Sequence, residues 1–394
     1  MNTSTLLQPA ARTGATSGIV PSAPRTPATL DDVLAEVGQR KEQFTELGHV
    51  PRDMVERFKQ AGIYRAGTPR CFGGDALPPA DFLRIVARIA SVDGSAAWVA
   101  SFGSANTYLA SLPKETQAKI YATGPDQVFA GALYPPQPAA RDGDGWRVTG
   151  QWKFASGCMG ASWLGVGIGG GPGVKPLAAI LPADQVQIVE NWNVVGLEGT
   201  GSHDLRVTDK YVADEWTFSR GGAVVIDEPL YRYPATCYQA QVHAAVNLGL
   251  AQAALAIVND MSAGKITTTG APRMADRAYF RIELAKAEAA YHSARAFFFE
   301  SAEAVYAAIV AGDEVTAQQI STLKLSATHA AQVSADAIRT AYRLGGMASI
   351  YSTHPLQRIV RDSMVVTQHA FLSSGNYDGA GAVLTGVPPF PGYL

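Results

Sequence analysis

The run Trp146-Arg-Val-Thr-Gly-Gln-Trp-Lys-Phe-Ala-Ser-Gly157 lies in a stretch whose composition differs from what flanks it. Val, Ile, Trp and Tyr gather in short segments at 128–133, 146–154, 163–168, 177–181, 187–189 and 205–212. Turn formers separate these segments, among them Asp142-Gly-Asp-Gly145 and Gly169-Gly-Gly-Pro-Gly173. This pattern predicts strands. Most connections are too short for the crossover helices that parallel strands need, so the spacing predicts an antiparallel barrel or sandwich over residues 126–234.

On either side the apolar period changes to that of a helix. Upstream, Val33, Leu34, Val37, Phe44 and Leu47 mark a first helix, with Thr29 or Asp31 as its cap and Gly48 and Pro51 as its stop. Further helices are expected at 53–60, 80–91 and 95–112, which makes residues 30–125 a helical domain. Downstream, Ala-rich helical runs at 239–263, 273–311, 313–344 and 355–372 with brief loops between them predict a four-helix bundle over residues 235–394. Residues 1–29, rich in Thr, Ser, Ala and Pro, read as a disordered lead-in without the apolar core of a secretory signal.

Composition narrows the function. The chain has 394 residues, 47% of them hydrophobic, enough for large cores and an enzyme-sized globule. A formal net charge of −2 and the absence of any basic block give phosphate backbones or anionic lipid nothing to bind, so neither nucleic acid nor membrane is an expected partner. The longest apolar stretch, 242–258, contains His243, Asn247 and Gln252, which suit a buried helix better than a bilayer. Cys71, Cys158 and Cys237 are far apart and follow no zinc or disulfide spacing, which fits a reducing cytoplasm. No His-Glu-x-x-His motif is present, so no metal is expected. The glycine string 167–173 lacks the last glycine of a dinucleotide loop and has no helix after it, so it reads as a turn. Ser202-His-Asp204 has the residue types of a hydrolase triad but no Gly-x-Ser-x-Gly elbow, so it reads as a loop.

Several local motifs carry a resemblance over nearly everything after residue 30. They are Pro69-Arg-Cys-Phe-Gly-Gly74, Gly150-Gln-Trp-Lys-Phe-Ala-Ser-Gly157, Gly199-Thr-Gly-Ser-His-Asp-Leu205, Gly345-Gly-Met-Ala348 and Pro355-Leu-Gln-Arg-Ile-Val-Arg-Asp362. In this order the chain resembles the acyl-CoA dehydrogenase fold: helical domain, central β domain, four-helix bundle. The Trp-x-Phe-x-Ser-Gly strand and a histidine shortly after the Arg-Asp pair are similar to its flavin-dependent monooxygenase branch. Dehydrogenases of the superfamily often carry a proton-abstracting glutamate after that Arg-Asp, whereas residues 363–373 here contain no acidic residue and place His369 almost in register with it.

The resemblance implies the oxygenase component of a two-component system. It would use reduced FAD, alternatively FMNH2, supplied by a separate NAD(P)H-dependent flavin reductase, and would react with O2 through a flavin C4a-hydroperoxide to hydroxylate a small aromatic. It also implies a homotetramer. Ser156 is the candidate for a hydrogen bond beside flavin N5, Trp152 and Phe154 for flanking the isoalloxazine, and His369 for proton transfer to the peroxide or from the substrate. Arg273 and Arg277 read either as partners of the flavin phosphate, across a subunit boundary, or as solvated charges at a helix start. Gly345 and Gly346 belong to the cofactor-side motif. Asn106 and Tyr351 are the substrate-side candidates, with a solvent-facing or packing role as the alternative. Some phenol-hydroxylating relatives carry a His-Asn pair where this chain has Ser104-Ala-Asn106, and the missing histidine favours an indole-type ring over a phenol. Acyl-CoA dehydrogenation is the competing activity.

Overall fold

Thr29 opens the first helix through a capping box with Asp32, in which each side chain meets the other residue's backbone N–H. In this computed structural model, which describes residues 27–169, 175–263 and 273–394, helices α1 (Leu30–Leu47), α2 (Arg52–Gln60), α3 (Pro79–Ala90), α4 (Gly94–Ala100), α5 (Asn106–Leu109) and α6 (Lys114–Ile120) form the first layer. The lead-in at 1–26 and the glycine run from 170 lie outside the described residues.

Seven strands follow: β1 (Phe129–Asp142), β2 (Gly145–Ala155), β3 (Trp163–Gly169), β4 (Leu177–Pro182), β5 (Gln187–Val189), β6 (His203–Ala213) and β7 (Thr217–Phe218). They form one sheet in the order β5-β6-β2-β1-β3-β4-β7. The expectation of purely antiparallel pairing fails at one ladder, because β1 and β3 run parallel. The reason is geometric. β2 turns back on the far end of β1, pairing Ala139 with Val148 and Asp142 with Gly145. β3 reverses again and pairs with the near half of β1, from Phe129↔Trp163 onward, so β2 itself is the crossover and no helix is needed. The sheet is therefore mixed. β1 also runs on through Tyr134-Pro-Pro136, with its register broken between Ala132 and Gln137, where proline cannot donate to the ladder.

Beyond α7 (Pro229–Arg232), the long helices α8 (Ala235–Ser262), α9 (Ala278–Ala311) and α10 (Ala317–Leu344) precede α11 (Pro355–Val366) and α12 (Gly375–Thr385). Among the described residues α8 alone is long and apolar enough to cross a membrane, but 78% of its most apolar window is buried. It is hydrophobic all round because α3, α4, α9, α10 and α11 cover it. Its Asn247 amide donates to the Ala331 carbonyl of α10 at 2.8 Å.

Candidate active site

Ser156 stands just past the end of β2, where the strand is deformed. One extra residue lies between the pairs Trp152↔Leu205 and Ala155↔His203, and Phe154 takes a left-handed φ of +67°. The bulge separates two side chains that strict alternation would put on one face. Trp152 is fully buried, its indole N–H donating to the Gly167 carbonyl at 2.7 Å, while the Phe154 ring is 68% exposed with Trp192 edge-on at 6.4 Å. Trp152 is thus a core anchor, and Phe154 alone offers an open aromatic face.

The buried Ser156 hydroxyl lies 2.6 Å from Ser202 Oγ, which lies 2.9 Å from Thr200 Oγ1. Thr200 spends its proton on the Leu197 carbonyl at 2.7 Å. Ser202 must therefore donate to Thr200, and Ser156 to Ser202, because each hydroxyl has one proton. The chain of donors leaves Ser156 with lone pairs only, so it can serve a further partner solely as an acceptor. The other two members of Ser202-His-Asp204 point elsewhere: His203 Nδ1 accepts from the Asn191 and Trp192 amides, and Asp204 accepts from Gln151. No triad forms.

His369 was expected on the last long helix, but α11 ends at Val366 and His369 lies beyond it in extended backbone (φ −66°, ψ 133°). Its Nδ1 accepts from the Phe371 amide at 3.3 Å, which fixes the neutral tautomer with the proton on Nε2. Its ring lies 4.2 Å from His243 of α8 and 5.1 Å from Phe371, with Trp98 of α4 at 5.7 Å. Trp98 stacks on His243 at 4.2 Å and 13°. Burial, with the Arg220 charge as a smaller cause, lowers the His369 pKa to about 4. Burial and then the neighbouring His369 hold His243 well below the ordinary imidazole range, with its Nδ1 enclosed and unpartnered among the described residues. A second imidazole thus does stand beside His369, supplied by α8 rather than by the 104–106 segment.

The serine and histidine groups both border α4. A β-carbon on Gly157 would lie 3.5 Å from Phe102 and 3.7 Å from Val99, and Val99 follows Trp98 in the chain. What fixes α4 is the Arg-Ile-Val-Arg-Asp motif of α11. Arg358 sits 2.8 Å from the fully buried Asp93, whose carboxylate caps α4 by accepting from Ala96 N–H at 2.8 Å. Asp362 accepts from the Leu197 amide at 2.6 Å, and Arg361 donates to Val195 and Glu198. The loop carrying Thr200 and Ser202 passes so close that a side chain on Gly196 would collide with the Arg361 carbonyl. Burial, then Asp93, raises the Asp362 pKa to about 7, and burial raises that of Asp93 despite Arg358.

The remaining sequence candidates lie elsewhere. Asn106 is buried, and its amide nitrogen donates to Tyr64 O, Thr68 Oγ1 and Gln127 O, tying the first helices to the sheet. Arg273 pairs with Asp276 at the surface, and Arg277 reaches Tyr279 at 3.5 Å. Gly345 ends α10, Gly346 has a φ of +58°, and Tyr351 is 67% exposed. Among the described residues no hydrogen bond, ion pair or ring contact joins these groups to Ser156 or His369. Sequence reasoning did not single out Trp98, Phe371 or Arg220, which the structure places around His369 and Phe371. It met His243 only as a polar interruption of an apolar helix.

Residues 241–374 match the acyl-CoA dehydrogenase C-terminal domain family. An indole-3-acetate monooxygenase from Pseudomonas putida is 48% identical over 95% of this chain and 96% of its own length. The chain belongs to the flavin-dependent monooxygenases of the acyl-CoA dehydrogenase fold. Within this family, the crystal structure of 3-HSA hydroxylase from Rhodococcus sp. RHA1 superposes with a TM-score of 0.86 at 25% identity, covering 93% of this chain and 98% of that one. The FADH(2)-dependent resorcinol hydroxylase, oxygenase component, of Rhizobium sp. (strain MTP-10005) is 28% identical over 87% of this chain and 88% of its own length. The residues at the Ser156 end fit the family's flavin. An exposed aromatic face stands beside a buried hydroxyl that is oriented to accept, which suits a planar heteroaromatic with an N–H on its edge.

Proposed function

We propose that this flavin-dependent monooxygenase is the oxygenase component of a two-component system that inserts one oxygen atom of O2 into an indole-type ring, with indole-3-acetate as its first candidate substrate. The observation that carries the reading is the directed hydroxyl chain from Ser156 to Leu197 O. Reduced flavin has an N–H at N5, whereas the oxidised form has only a lone pair there, so an acceptor at Ser156 complements the reduced cofactor. Reduced FAD is preferred, with FMNH2 as the alternative. When bound, it would supply the two electrons for O2 activation, the second oxygen atom leaving as water.

The chain's own residues do the rest. Phe154 covers one face of the ring system, with Trp152 fixing the strand beneath it. Neutral His369 presents its Nε2–H as a proton donor, and Trp98, His243 and Phe371 keep water away from it. Arg273, Arg277, Tyr351 and the Gly345-Gly346 turn would contribute only across a subunit boundary of a homotetramer. The helices of 235–394 would then form the four-helix bundle at its centre, behind the helical domain of 30–125 and a sandwich-like domain of 126–234. A separate NAD(P)H-dependent reductase would deliver the flavin in the cytoplasm. The test is to mix the protein anaerobically with chemically reduced FAD and indole-3-acetate, admit 18O2 and analyse the product by mass spectrometry. One heavy oxygen atom in the indolic product is expected, and an unlabelled product or unchanged substrate overturns the reading.

A further inference from the structure

Arg220 lies in the turn after β7, exposed, its guanidinium carbon 5.5 Å over the Phe371 ring. Among the described residues it forms no ion pair and no hydrogen bond. An arginine stacked on an aromatic ring keeps its N–H fork free for a planar anion. Two further donors lie near it. Its charge acts on His369, whose Nε2 carries the proton, and it opposes the burial-driven rise of the Tyr108 pKa. The buried Tyr108 ring stacks on Phe218 at 6.0 Å, and its hydroxyl makes no hydrogen bond among the described residues.

No carboxylate is among the groups that act on His369 or on Tyr108. The cluster is therefore rich in donors, positively charged and walled by Trp98, His243 and Phe371. A neutral indole would leave the guanidinium without a partner, whereas an aromatic acid supplies a flat apolar body and an anionic end.

Resting on the monooxygenase reading, we infer that Arg220 is the specificity-determining residue that binds the side-chain carboxylate of an arylacetate substrate, with Tyr108 as second donor, so that the ring lies against His369. The charge-assisted pair sets how strongly the acid is preferred over a neutral molecule of the same shape.

Indole-3-acetate and indole-3-acetamide provide that comparison, with dissociation constants measured by calorimetry on the full-length protein with reduced flavin under nitrogen. Wild type is expected to prefer the acid by about ten- to hundredfold. In Arg220→Gln the preference falls to about one, because the acid weakens while the amide changes less than about threefold, and Arg220→Lys restores part of it. Among the described residues Arg220 has no ion pair to lose, so the melting temperature of R220Q stays at the wild-type value. An acid preference that survives in R220Q overturns the proposal. So does an equal loss for both ligands, a loss of flavin affinity in place of acid affinity, or failure of wild type to bind either ligand. If the acid binds through Arg220 yet no oxygen is inserted, the anchor stands and the monooxygenase reading falls.

Discussion

Replacing Arg358 by Gln tests the motif that holds α4 in place. Asp93 has a fully buried side chain, and its cation is 2.8 Å away. Removing one member of a buried pair strands the other charge, at about 3–5 kcal/mol. The other interactions of Arg358, a pair with the exposed Glu42 at 3.3 Å and a hydrogen bond to the Lys41 carbonyl at 3.0 Å, add less. Unfolding entropy for a chain of 394 residues is about 0.8 kcal/mol per degree, so the melting temperature should fall by about 4–6 °C. The loss should depend on pH with a definite sign. Asp93 and Asp362 have folded pKa values raised above their unfolded ones, so their contribution is full below about pH 4. It fades as pH rises through the folded value, about 7 for Asp362. Without Arg358 both values rise further, and the deficit widens between pH 5 and 8. The assay is calorimetry at pH 5.5 and 8 on wild type, R358Q and the D93N/R358Q double variant. Asn still caps α4, so the double variant should recover at least half of the loss. A shift below about 1 °C in R358Q, or a double variant no more stable than the single one, would refute the buried-pair argument.

Other predictions concern the site and its surroundings. Ser156→Ala removes the acceptor at the end of the hydroxyl chain, so product formed per O2 consumed should fall about tenfold or more, with the balance appearing as H2O2 in a peroxidase-coupled assay. Thr200→Val frees the Ser202 proton to point at Ser156 and should lower the same yield less; unchanged yields in both variants would sink the orientation argument. His243 and His369 have folded pKa values below the unfolded imidazole, so stability falls as pH drops from about 6.5 towards 4. His243→Phe should reduce the melting-temperature difference between pH 7.5 and 5, and parallel curves for wild type and variant would count against it. Burial pushes the Cys158 and Cys237 thiols up to about 12 while Cys71 is exposed, so native protein treated with iodoacetamide at pH 8 should gain a single adduct by intact mass.

The helical flanks and six of the seven strands were legible because their signals are local: apolar period, capping Thr29 and turn residues. The extension of β1 through Tyr134-Pro-Pro136 was not, since proline argues against a strand and β1 continues only because pairing with β3 resumes at Gln137 and pairing with β2 begins at Ala139. The parallel ladder was hidden for a related reason: spacing constrains consecutive strands, whereas β1 and β3 meet only because β2 pairs with a different half of β1. Ser156 and His369 could be singled out as candidates from motifs. Trp98, His243 and Arg220 come from three other segments and carry no motif, and only packing around α4 and Phe371 joins them to His369. Trp152 and Phe154 are equivalent under strict alternation, and only the bulge turns Phe154 outward.

The left-handed backbone at Phe154 displays a phenyl ring to water, and that has a kinetic side. A planar guest lying on the ring hides roughly 100 Å² of apolar surface, worth about 2.5 kcal/mol. Departure must rehydrate that area, which slows it by about seventyfold compared with a guest held at its edges alone. On the proposed reading, a diffusible reduced cofactor lying there would stay through a catalytic cycle without a covalent tether. Trimming Phe154 to alanine would turn a resident into a visitor.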